Sequence, residues 1–384
     1  MLTGRLQVAP TVRLCIMSTH PFTPLVDKLP STVPFVGPEA QERARRRLFR
    51  ARIGANESVF GPSPKAVAAM ETAAAEAWKY CDPENHDLKQ ALAAHYKIAP
   101  ENIVVGEGID GLFGYVVRLF VEPGVTVATS LGAYPTYNFH VNGFGGRLVT
   151  TPYVADREDP DALLDLAKRE KARLIYFANP DNPMGSWWPA ADVQSLIDRV
   201  PEGAVLCLDE AYGEFAPQGT MPPLDVSNPR VLRFRTFSKA HGMAGLRIGY
   251  AIGEASLIKA FDKIRNHFGV NRIAQAGALA ALADGAHLAS VVKSVAGARD
   301  RIAAIARDNN LTPLPSAANF VAIDCGRDGN YARAVLKELI DRDIFVRMPG
   351  VAPLDRCIRV SAGTDADLAA FAEVLPQALK AAAP

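Results

Sequence analysis

Short, uninterrupted apolar runs separated by helical stretches constrain this chain more than any other feature. From residue 64 onward they recur at Asn102-Ile-Val-Val105, Thr126–Thr129, Arg173–Phe177, Ala204–Leu208, Val231–Arg235 and Ile248–Ile252. A strand with one face in water alternates polar and apolar residues; these runs, apart from Val231-Leu-Arg-Phe-Arg235 with its two arginines, do not, so both of their faces are expected to be buried. Helices are predicted between them: Ala-rich Pro64–Trp78 with Ser63 as N-cap, then Leu88–Lys97 and Leu112–Phe120. Apolar strands alternating with helices give an α/β fold, a large domain whose mostly parallel sheet is sandwiched by helices. The texture changes after about residue 285. A helix over His287–Arg307, strands at Asn319–Ile323, Ile344–Arg347 and Cys357–Val360, a helix over Tyr331–Ile340 and a final Ala-rich helix describe a smaller α+β domain. The expected division is an N-terminal extension and arm (1–55), a large domain (56–285) and a small C-terminal domain (286–384).

The N-terminal part reads differently. Residues 1–16 lack the apolar core of about 7–15 residues that a signal peptide needs, and Met17 opens a more ordinary start, so 1–16 are expected to be an upstream extension. Residues 18–40, rich in Pro, Ser and Thr, read as an arm without regular structure. The basic run QERARRRLFRAR (41–52) reads as a solvated helix face; a nucleic-acid patch would need a basic domain around it, and the net charge is only +1. No stretch reaches the roughly 20 apolar residues of a membrane helix. Cys15, Cys81, Cys207, Cys325 and Cys357 form no CxxC pair, and the seven histidines show no HxxxH spacing, so neither a disulfide framework nor a metal site is expected. Reduced thiols suit a cytoplasmic location.

Ligands of an open α/β sheet bind beyond the carboxyl ends of its strands, so the residues after each run matter most. Gly106-Glu-Gly-Ile-Asp-Gly111 opens a helix, and glycines at a helix N-terminus suit an anion. The same spacing fits a dinucleotide enzyme, but the acid that such a site wants about 20 residues on is missing, since the next strand ends Ala128-Thr-Ser-Leu131. Asn179-Pro-Asp-Asn-Pro-Met-Gly185 is stiffened by its X-Pro steps; it is either a tight loop or a rigid mount for the Asn182 amide. Asp209 closes a buried run and is either a helix N-cap or the partner of a buried cation. Thr236-Phe-Ser-Lys-Ala-His-Gly-Met-Ala-Gly-Leu-Arg247 sets hydroxyls, a lysine and an arginine together, a second anion-binding group beside an amine nucleophile.

NPDNPMG, LDEAY and TFSKAHGMAGLR, in this order, resemble the fold-type I pyridoxal-phosphate (PLP) aminotransferases of class I/II, and among them the histidinol-phosphate aminotransferase branch. The resemblance runs from about Asn56 to Thr364 and implies a ping-pong transfer of an amino group between an amino acid and a 2-oxo acid. It implies that Lys239 is the Schiff-base lysine and proton shuttle, and that Asp209 lies under the pyridine nitrogen. Asn182 and Tyr212 would bond the ring oxygen, and Tyr137 would stack on the ring. Gly108, Ile109, Asp110, Ser238, Arg247 and, less directly, Thr236 would hold the phosphate; Ile109, unusual there, would serve through its backbone N–H. Tyr80 would reach the phosphate of a second subunit, making the active unit a homodimer. Arg359 would take the substrate carboxylate and Asn56 would lie on the substrate side. Arg347 would meet a second anionic group, or would be a solvated strand residue. Where the family has Asn-Glu-Asn-Pro-Tyr-Gly, this chain has Asn56-Glu-Ser-Val-Phe-Gly61, a difference beside the substrate side chain that leaves histidinol phosphate and an aromatic substrate both open. A PLP decarboxylase or lyase of the same branch and a non-catalytic PLP-binding protein are the competing readings.

Overall fold

A computed structural model describes residues 20–31 and 35–383; the expected extension over 1–16 and Cys15 lie outside them. The chain runs α1 (Pro38–Arg45), β1 (Ala51–Arg52), α2 (Pro64–Ala74), α3 (His86–Tyr96), β2 (Ile103–Gly106), α4 (Gly108–Phe120), β3 (Thr126–Ser130), α5 (Pro135–Gly143) and β4 (Arg147–Thr151). It continues α6 (Pro160–Arg169), β5 (Leu174–Ala178), α7 (Ala190–Asp198), β6 (Val205–Asp209), β7 (Val231–Thr236), β8 (Gly249–Ile252), α8 (Ala255–Lys259), α9 (Arg272–Leu282) and α10 (Gly285–Asp308). The last elements are β9 (Thr312–Pro313), β10 (Phe320–Asp324), α11 (Gly329–Asp341), β11 (Ile344–Phe345), β12 (Cys357–Ser361) and α12 (Asp365–Ala382).

Seven strands form the large sheet in the order β2-β8-β7-β6-β5-β3-β4. The neighbours β4, β3, β5, β6 and β7 are parallel, and only β8 runs against both of its partners. Successive residues of β5 serve opposite faces: Leu174 and Tyr176 join the core under α4 and α5, while Ile175 and Phe177 join the one under α6 and α7. That is why the run reads as continuously apolar. β4 escaped the sequence reading because Arg147-Leu-Val-Thr-Thr151 is a half-exposed edge strand without an apolar run. Ser63 caps α2 as expected, its hydroxyl accepting from Ala66 N at 3.1 Å.

The small unit has a three-stranded antiparallel sheet, β12-β10-β9, covered by α10, α11 and α12. Residues 38–52 pack against it: α1 begins inside the stretch expected to lack regular structure, and the basic run starts on a largely exposed helix face, as expected, before continuing into β1. β1 pairs in parallel with β11, Ala51 opposite Ile344 and Arg52 opposite Phe345. Arg45 and Arg47 both reach the Asp343 carboxylate, Arg47 Nε at 2.6 Å. Arg50 pairs with Glu373 at 2.8 Å, and Arg52 pairs with Glu42 and Glu39. Four of the six arginines in the basic run, Arg45, Arg47, Arg50 and Arg52, thus pair with carboxylates of the chain itself and clamp the segment to the small unit. Among the described residues no single helix is long and apolar enough to cross a membrane.

Asp343 has a left-handed backbone (φ 68°), which asparagine tolerates. Asp343→Asn is expected to cost about 1–2 kcal/mol through weakened charge-assisted bonds, read in urea unfolding. It should also make Arg46 and Arg47 susceptible to trypsin; wild-type protection there would show that β1–β11 pairing alone seats this segment.

Candidate active site

A cavity of about 780 Å³ opens at the carboxyl ends of β5, β6 and β7, roofed by the small unit. It is of a size for a small ligand. Asp209, the last residue of β6, lies in its floor, 7% exposed. Its carboxylate accepts from Tyr176 Oη at 2.8 Å and from Ala211 N at 2.9 Å, both neutral donors. Burial pushes its pKa up to about 6, against those two hydrogen bonds and the distant charge of Lys239. A carboxylate held this way gains from a cationic partner delivered by a ligand.

Lys239 follows β7, and its Nζ donates to Asn56 O at 3.1 Å, 5.7 Å from the Tyr212 ring centre. Burial pushes its pKa down to about 8, with the Arg359 and Arg247 guanidiniums adding to the fall. An amine so placed is available as nucleophile and base near neutral pH.

The anion cradle forms where α4 starts. Gly108 has φ +76°, and a Cβ there would lie 2.6 Å from Arg247 Nη2, so only glycine admits the guanidinium. Arg247 Nη1 approaches Ser238 Oγ at 3.5 Å, and Ser238 N donates to Thr236 Oγ1 at 3.0 Å. Ile109 and Asp110 also line the cavity at the helix N-terminus, where free N–H groups and the helix dipole favour an anion. The Asp110 carboxylate is taken by His140, 2.9 Å away.

On the opposite wall, β12 brings Arg359. Its Nη1 donates to Asn182 Oδ1 at 2.5 Å, its Nε is buried without a partner, and burial pushes its pKa down to about 10. Arg347 exchanges backbone hydrogen bonds with Arg359, so both guanidiniums face the cavity. Arg347 is half-buried, donates to Val36 O at 3.2 Å and lies over the Phe35 ring at 4.5 Å, with its guanidinium at the cavity wall. Tyr212 Oη collects donors from Asn56 Nδ2 at 3.0 Å and Asn182 Nδ2 at 3.5 Å.

The structure thus gathers Asn56, Ile109, Asp110, Asn182, Asp209, Tyr212, Thr236, Ser238, Lys239, Arg247, Arg347 and Arg359 around one cavity, with Gly108 beneath. Tyr137 is corrected: it is fully buried, stacked on Tyr176 at 4.6 Å, and Tyr134 lines the cavity instead. Pro135 at the first turn of α5 explains the exchange. It leaves Tyr134 outside the helix, free to face the cleft, and turns Tyr137 to the inward face. Tyr80 lies away from this cavity, 78% exposed, its ring tilted against that of Phe268 at 4.8 Å. Sequence reasoning missed Phe35, Tyr176, Asn319, which donates to Asn56 O at 3.0 Å, and Ser361. It also missed the buried acids Glu158 and Asp181.

Residues 52–375 match the model of the family aminotransferase class I and II. Histidinol-phosphate aminotransferase 1 of Mesorhizobium japonicum is 35% identical over 337 residues, 86% of this chain and 90% of its own length. Histidinol-phosphate aminotransferase 2 of Carboxydothermus hydrogenoformans is 33% identical, over 90% of this chain and 97% of its own. The crystal structure of histidinol-phosphate aminotransferase from Sinorhizobium meliloti in complex with pyridoxal-5'-phosphate superposes with a TM-score of 0.93 at 56% identity, covering 96% of this chain and all of that one.

In the ligand-free chain, labelling of Lys239 by an amine reagent, followed by mass spectrometry, is expected to rise with a midpoint near pH 8. Arg359→Gln removes a cation that disfavours the ammonium form, so the midpoint should move up. A midpoint that stays put would separate the two groups electrostatically.

Proposed function

The chain belongs to the class I and II aminotransferases and so transfers amino groups, and we propose that it does so on pyridoxal 5'-phosphate, between histidinol phosphate and a 2-oxo acid. One observation carries the cofactor assignment: a buried acid without a cation, a lysine with a lowered pKa and a glycine-admitted arginine cradle share one cavity. Those residues fit the group. Asp209 would hold the protonated ring nitrogen, Asn182 and Tyr212 the ring oxygen, Tyr134 a ring face, and Gly108–Asp110, Ser238 and Arg247 the phosphate. When bound, the cofactor supplies an electron sink for the charge that develops at the substrate Cα.

The chain's own residues do the rest. Lys239 would hold the cofactor and, with its amine free, would take and return the proton at the substrate Cα, a task its lowered pKa suits. Arg359, with one nitrogen already on Asn182 and another unpartnered, orients the substrate's anionic end. Arg347, beside it, gives the second cation that a phosphate ester takes up. A 2-oxo acid binds through its carboxylate to the same pair. Phe35, Leu131, Tyr134 and Val351, with Phe60 in place of tyrosine nearby, favour an aromatic amino acid as the second reading of the amine substrate. We further infer a cytoplasmic homodimer. The described cysteines are buried and unpaired, and Tyr80 with Trp78 and Phe268 stands exposed, ready to meet a second copy.

The test is amino transfer itself: histidinol phosphate or phenylalanine with 2-oxoglutarate, scoring glutamate formed. Release of CO2 without an oxo product would make the enzyme a decarboxylase. Lys239→Ala is expected to remain folded and lose turnover; full activity would remove Lys239 from the reaction. Arg359→Ala is expected to lose about 2–5 kcal/mol in kcat/KM while keeping the cofactor's absorbance. Loss of the cofactor in that variant would move Arg359 to the other side of the site.

A further inference from the structure

The hydrogen bonds around Asn56 close into a ring, and both ends of the ring lie on β12. Ser361 Oγ accepts from Asn56 N at 3.0 Å and donates to Asn56 Oδ1 at 2.9 Å. Asn56 Nδ2 donates to Tyr212 Oη at 3.0 Å, and Tyr212 Oη also accepts from Asn182 Nδ2 at 3.5 Å. Asn182 Oδ1 accepts from Arg359 Nη1 at 2.5 Å, and Arg359 stands two residues before Ser361 on the same strand. A spur leaves the ring at Asn56 O, which takes Lys239 Nζ at 3.1 Å and Asn319 Nδ2 at 3.0 Å.

Asn56 has a left-handed backbone (φ 56°), which asparagine tolerates, and is 2% exposed, so the orientation of its buried amide is set by its hydrogen-bond partners. Ser361, equally buried, makes two of its hydrogen bonds with a single hydroxyl. Without that hydroxyl, Asn56 N and Oδ1 would be left buried and unpaired, and the residue would turn to satisfy them. The amide offered to Tyr212 and the carbonyl offered to Lys239 would turn with it.

We propose that Ser361 is a positioning residue of the transamination reaction: its hydroxyl fixes Asn56, and Asn56 in turn holds Tyr212 Oη and Lys239 Nζ, so the strand that carries the substrate-binding Arg359 also places the reacting amine. This rests on the aminotransferase reading for its catalytic consequence, though not for its effect on Lys239. The ring has one link that a ligand competes for, the Arg359–Asn182 bond, since an anion at Arg359 draws on the same guanidinium face. Seating the anionic substrate is thereby felt at Tyr212 and Asn56.

The experiment compares Ser361→Ala with Ser361→Thr, which keeps the hydroxyl. With glutamate as amino donor, Ser361→Ala is expected to lower kcat roughly ten- to a hundred-fold with little change in KM, as misplacement of a reacting group does. In the ligand-free chain the labelling midpoint of Lys239 should fall below the wild-type value, because a carbonyl that stabilises the ammonium form has moved away. Ser361→Thr should restore both. A wild-type midpoint in Ser361→Ala overturns the proposal. So does a loss of kcat that Ser361→Thr shares in full while the midpoint stays wild-type, which would mark a packing role. A lowered midpoint in Ser361→Ala, reversed in Ser361→Thr, supports it even if the wild-type chain transaminates no donor; that last result would fault the functional reading alone.

Discussion

A carboxylate at the end of a fully buried strand is the constraint from which the rest of the large domain follows. Asp209 closes Val205-Leu-Cys-Leu208, every residue of which is buried, and no cation touches it among the described residues. Bare ionised carboxyls in such a place are costly. The chain meets the cost partly with a tyrosine from the neighbouring strand and a backbone N–H from the turn beyond. The tyrosine is in reach because β5 and β6 are parallel and in register, Tyr176 opposite Cys207 and Ala178 opposite Asp209, while the N–H is that of Ala211, two residues beyond Asp209 itself. The remainder of the cost is left for a ligand to meet. A pyridinium nitrogen is such a ligand, and the anion cradle at α4 supplies the second point of attachment. The sheet thus sets an acid and a phosphate site at fixed places in the same cavity.

The second unit supplies what changes from one half-reaction to the next. Arg347 and Arg359 come from adjacent, backbone-paired positions of the small unit, while Lys239, Asp209 and Arg247 come from the sheet ends of the large one. Residues 35–56 run between the two. They are fastened to the small unit by β1–β11 pairing and by Asp343, and they end in Asn56 at the cleft. Any shift of the small unit is therefore carried directly to the residue that holds Lys239. Fixed chemistry on a rigid sheet, with substrate recognition on a separately seated unit, suits an enzyme that must accept two unlike substrates in turn.

What the sequence disclosed and what it hid follow one physical rule. Lys239, Asp209, Asn182 and Arg247 were legible because strand ends of a parallel sheet are where ligands bind, and those ends are marked by local apolar runs. The small domain's helices and strands were legible from the same periodicities. Tyr134 was misassigned to Tyr137 although the signal was present: a proline between them starts α5 and fixes which tyrosine lies outside it. Ser361 and Asn319 were invisible for a different reason. Their partner Asn56 lies 305 and 263 residues away, and a lone serine in a strand carries no local mark of such a bond. The partners of the basic run at 41–52 were hidden likewise, because Asp343 and Glu373 come from the other end of the chain.

The buried acids that no motif announced complete the electrostatics of the cavity. Glu158 accepts from Ser130 Oγ at 2.7 Å and from Ala178 N at 3.0 Å; Asp181 accepts from Tyr153 Oη at 2.8 Å and from Met184 N at 3.0 Å. Burial pushes Glu158 well above the ordinary carboxyl range and Asp181 up to about 7, the positive field of Arg359 restraining the second. At neutral pH the Glu158 charge is thus withheld and that of Asp181 only in part, so the pair offsets the guanidiniums across the cleft less than two ionised carboxylates would. Lys239, Arg247, Arg347 and Arg359 then face the cavity against Asp209 as the one deeply seated acid in its lining that a ligand's cation can meet. A site charged in this way draws anions, and its cations are gathered at two places, the α4 cradle and the Arg347–Arg359 pair. Burial lowers the pKa of Lys239 most, and the cations that draw anions to the cavity lower it further, so the same field keeps this amine available near neutral pH.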